Sequence, residues 1–212
     1  MGLIHIYCGD GKGKTTASMG LAVRAAGAGM RVHIVQLLKG SKTAELESLA
    51  LIPNIRVTRP DRNYGFTFSM TDEDKAAITK CHNALLEEAL REMKNDEIDM
   101  LVIDEFCAGY NCGLVDKALA DEIILHKPEK CELVLTGRDP EQKYVDAADY
   151  VSEIRAVKHP YEKGIDARRG IEFGFTANRT PKEEFYAGTE IFCHNLPNEI
   201  HQPLGAYAQH HK

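Results

Sequence analysis

Residues Gly9-Asp10-Gly11-Lys12-Gly13-Lys14-Thr15-Thr16 bring together the groups that hold a polyphosphate. Glycines allow backbone N–H groups to approach an anion closely, and a helix N-terminus directly behind them adds its dipole. Lys14 supplies charge, and the Thr15 hydroxyl can ligate Mg²⁺. The usual spacing, G-x-x-x-x-G-K-[ST], would put a glycine where this chain has Cys8. Here the glycine comes one place later, at Gly9, and Gly11 is added. A second constellation is Leu101-Val102-Ile103-Asp104-Glu105, an apolar run ending in two carboxylates. A hard cation wants oxygen ligands, and a strand end aims them at the phosphates. Thr15, Asp104 and Glu105 are therefore the candidate metal ligands.

Other residues fit around these two. Arg138, in Thr136-Gly137-Arg138, follows another apolar run and either neutralises phosphate charge or is a surface arginine. Arg155, Lys158, His159, Lys163, Arg168 and Arg169 form a basic segment in an acidic chain. They hold phosphates or polar groups of a second substrate, or they form a solvated cationic face. The aromatics of Tyr64-Gly65-Phe66-Thr67-Phe68 either line a flat apolar ligand or anchor their loop. A kinase-like base motif, an isolated arginine finger and a water-positioning glutamine are all missing from the pattern. The chain reads as a grip on a triphosphate without an evident hydrolytic apparatus.

The elements that must carry these residues are legible. Apolar runs at 3–8, 31–36, 99–103, 131–135 and 150–154 are continuous, as in strands buried on both faces of a parallel sheet. Ile55-Arg56-Val57 adds a shorter one. Helices are expected from Thr15 to near Gly27, from Thr43 to Leu51, behind a capping box at Thr71-Asp72-Glu73-Asp74, and from Val115 to Leu125. Alternating strands and helices predict an α/β fold with a doubly wound, mostly parallel sheet and ligands at the C-terminal strand ends. Residues 174–212, broken by Pro181, Pro197 and Pro203, are expected to form an irregular C-terminal extension to a domain spanning 1–173.

Composition narrows the class. With 26 Lys and Arg against 32 Asp and Glu the net charge is −6, which argues against a nucleic-acid partner. The apolar runs are too short to span a membrane, and the N-terminus has no signal-peptide layout. The 6 cysteines form no C-x-x-C pair and are expected as thiols in a reducing cytoplasm.

Taken together, the sequence resembles the P-loop type of cob(I)alamin (corrinoid) adenosyltransferase. The resemblance rests on the Gly9–Thr16 loop, Gly65-Phe66-Thr67, Asp104-Glu105, Thr136-Gly137-Arg138, Val151 through His159, and Lys163-Gly164-Ile165-Asp166-Ala167-Arg168-Arg169-Gly170-Ile171-Glu172-Phe173. It implies a RecA-like P-loop domain that transfers the 5′-deoxyadenosyl group of ATP to the Co(I) of a corrinoid and releases triphosphate. Under it the loop grips a leaving group, with Mg²⁺ (or Mn²⁺) and Lys12, Lys14 and Arg138 stabilising the developing charge. Gly9, Asp10, Gly11, Gly13, Thr16, Arg155, Lys158, His159, Lys163 and Arg168 become substrate-binding candidates. Phe66 and Phe68 take the family's aromatic role, displacing the lower axial cobalt ligand so that Co(II) is easier to reduce. Phe68 stands where many relatives carry tryptophan. The resemblance further implies a homodimer and an electron donor such as a flavoprotein.

Overall fold

The computed structural model describes residues 1–40, 43–65 and 67–172, and the backbone of 189–191; the side chain of Phe68 is not among those described. Strands β1 (Ile4–Cys8), β2 (Val32–Gln36), β3 (Ile55–Arg59), β4 (Met100–Asp104), β5 (Glu132–Thr136), β6 (Tyr150–Glu153) and β7 (Thr189–Ile191) form one sheet. Its order is β6-β1-β5-β4-β2-β3-β7, and every pairing is parallel. The extension expected to be irregular thus contributes β7 beside β3, while 174–188 and 192–212 lie outside the described residues.

The helices are α1 (Lys14–Gly27), α2 (Glu45–Leu49), α3 (Asp72–Lys94), α4 (Phe106–Asn111), α5 (Lys117–Leu125) and α6 (Gln142–Ala147). They cover both faces of the sheet, which explains the uninterrupted apolar strands. In β4, Met100 and Val102 face α1 and α2, while Leu101 and Ile103 face the opposite core. On the first face α1 presents Met19, Ala22, Ala25 and Ala26; the small alanines bring its axis close to the strands. On the second, α3 buries Cys81, Leu85, Leu86, Ala89 and Met93, recurring at three- and four-residue spacing. The helix start predicted at Thr71 is present: its side chain accepts the Asp74 N–H at 3.1 Å. Helices α4 and α6, each a turn and a half long, escaped the periodicity because so short a segment shows too few repeats. Cys8, Cys107, Cys112 and Cys131 are free thiols as expected, whereas Cys81 is disulfide-bonded. No helix among the described residues is long and apolar enough to cross a membrane.

In this topology the C-terminal ends of β1, β5, β4 and β2 lie side by side. The glycine loop, Thr136, Asp104 and Gln36 are therefore neighbours although they are dispersed along the chain.

Candidate active site: a triphosphate cleft over a buried aspartate

The loop after β1 takes its shape from glycine. Gly9 and Gly13 have φ of 100° and 126°, conformations that residues with a Cβ rarely adopt. The loop lies flat on the chain leaving β6: Gly11 N–H donates to the Ile154 carbonyl at 2.8 Å, and Asp10 Oδ1 accepts the Ala156 N–H at 3.1 Å. A Cβ at Gly11 would stand 2.7 Å from the Arg155 carbonyl carbon, and one at Gly9 would collide with the Ile154 carbonyl oxygen. The displaced glycine has a structural cause. Cys8 still belongs to β1 and is buried, so the turn begins one residue later, at Gly9. Gly9→Ala is therefore expected to cost on the order of 2–3 kcal/mol through φ strain and backbone collision. Urea unfolding reads this directly, and an unchanged midpoint would show that the loop does not need its seat on β6.

Above the loop lies a cleft of about 1020 Å³. Lys12, Lys14, Thr15, Thr16 and Arg138 line it, as do Asp10, Gly11, Gly13, Glu105 and His159. Lys14 Nζ donates to the Gly11 carbonyl at 2.8 Å, so its ammonium is held over the loop. His159 Nδ1 accepts the Tyr161 N–H at 3.2 Å. The remaining basic candidates sit differently. Arg155 pairs with Glu153 at 2.7 Å, and Arg168 pairs with Glu172 at 3.0 Å, Glu172 itself lining the cleft. Lys158 and Lys163 are exposed and do not form part of the cleft wall. Gly9 lies beneath the loop, on the Ile154 carbonyl. Phe66 lies outside the described residues, as does the side chain of Phe68.

Asp104 is fully buried under the cleft and is the centre of a polar cluster. Its Oδ1 accepts the hydroxyls of Thr15 (2.9 Å) and Thr136 (2.7 Å). Its Oδ2 accepts Lys39 Nζ at 2.6 Å and Gln36 Nε2 at 3.5 Å. Thr136 also accepts the Glu105 N–H at 2.9 Å. This hydrogen bond helps hold Glu105 at φ 61°, a left-handed conformation uncommon for glutamate. The turn separates two adjacent carboxylates: Asp104 points into the buried cluster, while Glu105 borders the cleft. Burial, and then the Asp104 charge, raise the Glu105 pKa.

Lys39 is absent from the sequence-level candidates, and it completes the cluster. No spacing in the sequence could have found it, because its nearness to Asp104 depends on strand order. In register, Gln36 at the end of β2 stands beside Asp104, so the residues just past β2 had to be near the carboxylates. His82 was missed for a related reason, being a polar side chain on a buried helical face. Its ring is fully buried in α3, accepts the Leu38 N–H at Nε2 (3.2 Å) and contacts the Leu114 carbonyl at Nδ1 (3.0 Å). It thereby fixes Leu38, at φ 58°, immediately before Lys39.

Burial lowers the His82 pKa from 6.5 to about 4, against the smaller opposing effect of the Leu114 carbonyl. The folded value lies below the unfolded one. Stability is therefore complete above pH 6.5 and falls as the pH drops through 4, by about 3 kcal/mol in all. Unfolding midpoints measured from pH 7 to pH 4 should show this loss, and His82→Gln should flatten it. Equal pH slopes for the two proteins would remove His82 from the account.

A parallel α/β sheet with a glycine loop between β1 and α1, and a buried aspartate ending a neighbouring strand, defines the class as P-loop nucleotide-binding proteins. Within that class the chain belongs to the ATP:corrinoid adenosyltransferase family BtuR/CobO/CobP, whose profile matches residues 1–173. It is 32% identical over 174 residues to the corrinoid adenosyltransferase of Pseudomonas aeruginosa, covering 81% of this chain and 84% of that one. It is 31% identical over 178 residues to corrinoid adenosyltransferase CobA of Salmonella typhimurium, and 29% identical over the same length to its counterpart in Escherichia coli K12. Both of these alignments cover 81% of this chain and 86% of the relative.

Proposed function

We propose that this protein transfers the 5′-deoxyadenosyl group of ATP to the Co(I) of a corrinoid, releasing triphosphate. The family match over residues 1–173 carries this reading. The cleft geometry agrees with it, because Lys12, Lys14 and Arg138 converge where a triphosphate would lie.

In the proposed reaction the corrinoid substrate supplies the nucleophile. The Co(I) electron pair attacks C5′, the C5′–O bond breaks, and its electrons leave with the triphosphate. The charge that builds on the departing oxygen falls to the lysines, Arg138 and the N-terminus of α1. No protein nucleophile is required.

The Thr15–Asp104 pair suits a divalent cation, Mg²⁺ or Mn²⁺. Both donors are hard oxygens; the Thr15 proton is directed at Asp104, and the Thr15 lone pair that now meets Lys39 Nζ at 3.3 Å is the one a cation would take. An ammonium already rests against both oxygens, so the position favours positive charge. When bound, the ion would neutralise triphosphate charge, with Glu105 at the cleft edge as a further oxygen donor. Asp10, the loop glycines and Thr16 are proposed to hold the phosphates. Arg155, Lys158, His159, Lys163 and Arg168 are assigned to substrate contacts along the 155–172 segment. Phe66 and Phe68 keep the cobalt-facing role that the family resemblance implies. A homodimer, and a flavoprotein donor for reduction of Co(II), belong to the same proposal.

Anaerobic incubation with ATP, Mg²⁺ and reduced cob(I)alamin tests the reaction. Loss of the cob(I) absorbance with stoichiometric triphosphate is the expected outcome. ADP and phosphate would instead identify an ATPase or phosphotransferase. Binding without turnover would identify a corrinoid- or nucleotide-binding module.

A further inference from the structure

Lys39 Nζ stands 2.6 Å from Asp104 Oδ2 and 3.3 Å from Thr15 Oγ1. These are the residues assigned above to the divalent ion. Asp104 has no exposure, and two hydroxyls and an amide do not cancel its charge, so the ammonium is its counter-ion. The Lys39 side chain is 21% exposed and lines the cleft, which gives it a way out. Its backbone is held upstream by the Leu38–His82 hydrogen bond, so the ammonium swings from a fixed root.

We propose that Lys39 is a tethered cation standing in the metal's place between Thr15 and Asp104, and that it makes metal binding depend on nucleotide. The inference rests on the Thr15–Asp104 metal reading. A metal takes these oxygens at about 2.0–2.1 Å. Nζ would then lie against the ion, and the two positive charges exclude each other. Metal arriving alone must therefore expel the ammonium from its buried counter-ion, with only the cleft-edge carboxylates, Glu105 nearest in influence, left to receive it. Metal arriving with a triphosphate gives that ammonium a phosphate beside Lys12 and Lys14. The empty site resists stray divalent ions, while the filled cleft gains a third lysine on the leaving group.

The test is Mn²⁺ binding at pH 8, read from the spin-resonance signal of free Mn²⁺, with and without saturating ATP. It compares the wild type, Lys39→Met, Asp104→Asn and the double variant. Lys39→Met is expected to bind Mn²⁺ alone at least about tenfold more tightly than the wild type. The enhancement of Mn²⁺ affinity by ATP should shrink by the same factor, and the double variant should lose the gain. Lys39→Gln, which keeps a donor for Asp104, covers a Lys39→Met protein that does not fold and should show the same direction. Unchanged or weaker nucleotide-free binding in the folded Lys39 variants would overturn the proposal. If Asp104→Asn still lowers binding in the presence of ATP, the metal reading survives that failure. If Asp104→Asn binds Mn²⁺ with ATP as the wild type does, the metal reading falls, and the proposal with it.

Discussion

Lys14→Ala is expected to lower kcat/KM for ATP by about 10³ or more and to bring ATP binding below calorimetric detection. Lys14 sits at the first position of α1 and lines the cleft, with its ammonium resting on the Gly11 carbonyl at 2.8 Å. A triphosphate entering the cleft replaces that neutral acceptor with charged oxygens, and a charge-assisted bond of this kind is about twice as strong as a neutral one. The free protein spends little stability on Lys14. Alanine favours helix, and the lost bond is a single one at the cleft surface. The unfolding free energy should therefore stay within about 0.5–1 kcal/mol of the wild type. Separating the two readouts is what makes the experiment sharp. Retained ATP affinity in a stable protein would refute the role of the loop as a triphosphate grip. A large loss of stability would instead recast Lys14 as a structural residue.

Asp104→Asn carries the second large effect, and here function and stability fall together. The carboxylate collects Thr15, Thr136, Lys39 and Gln36 around one buried point, joining α1, β5, β2 and the segment beyond β2. An amide is nearly isosteric, but its NH₂ group must oppose a donor on one side, and Lys39 loses its counter-charge. The partly exposed ammonium can retreat to solvent, which limits the stability loss to about 1–3 kcal/mol. Activity is expected to drop by about 10² or more, because the Thr15 hydroxyl is no longer oriented and the metal loses its charged ligand. Urea unfolding and steady-state kinetics in excess Mg²⁺ read the two effects. Near-wild-type turnover would sink the metal assignment, and unchanged stability would show that the cluster is not the brace described here.

Much of the fold was legible because its signals are local. Continuous apolar strands require helices on both faces, and the α1–α2 and α3–α6 layers supply them. The Gly9–Thr16 loop announced itself through residues adjacent in the chain. Asp104 and Glu105 were recognisable as a strand end, but their division of labour was not. One goes under the cleft and the other borders it because Glu105 turns left-handed against Thr136, a residue from another strand. The basic segment shows the limit most plainly. Six similar cations in sequence became a mixture in space. His159 lines the cleft, Arg155 and Arg168 are engaged by Glu153 and Glu172, and Lys158, Lys163 and Arg169 face solvent. Charge along the chain records which ions are present, and only folding decides which carboxylate reaches each one first.

By itself the sequence determined the parallel α/β class and the phosphate loop, which rest on periodicity and short-range order, and it carried the motif resemblance to the adenosyltransferase family that the profile match over residues 1–173 bears out. The tertiary structure decided that Lys39 completes the Asp104 cluster, that His82 anchors its root, and that the glycine loop is seated on the chain leaving β6. These contacts join residues far apart in the chain. They exist because strand order places β2 and β5 on either side of β4 and β6 beside β1, and no spacing rule within the sequence encodes that order.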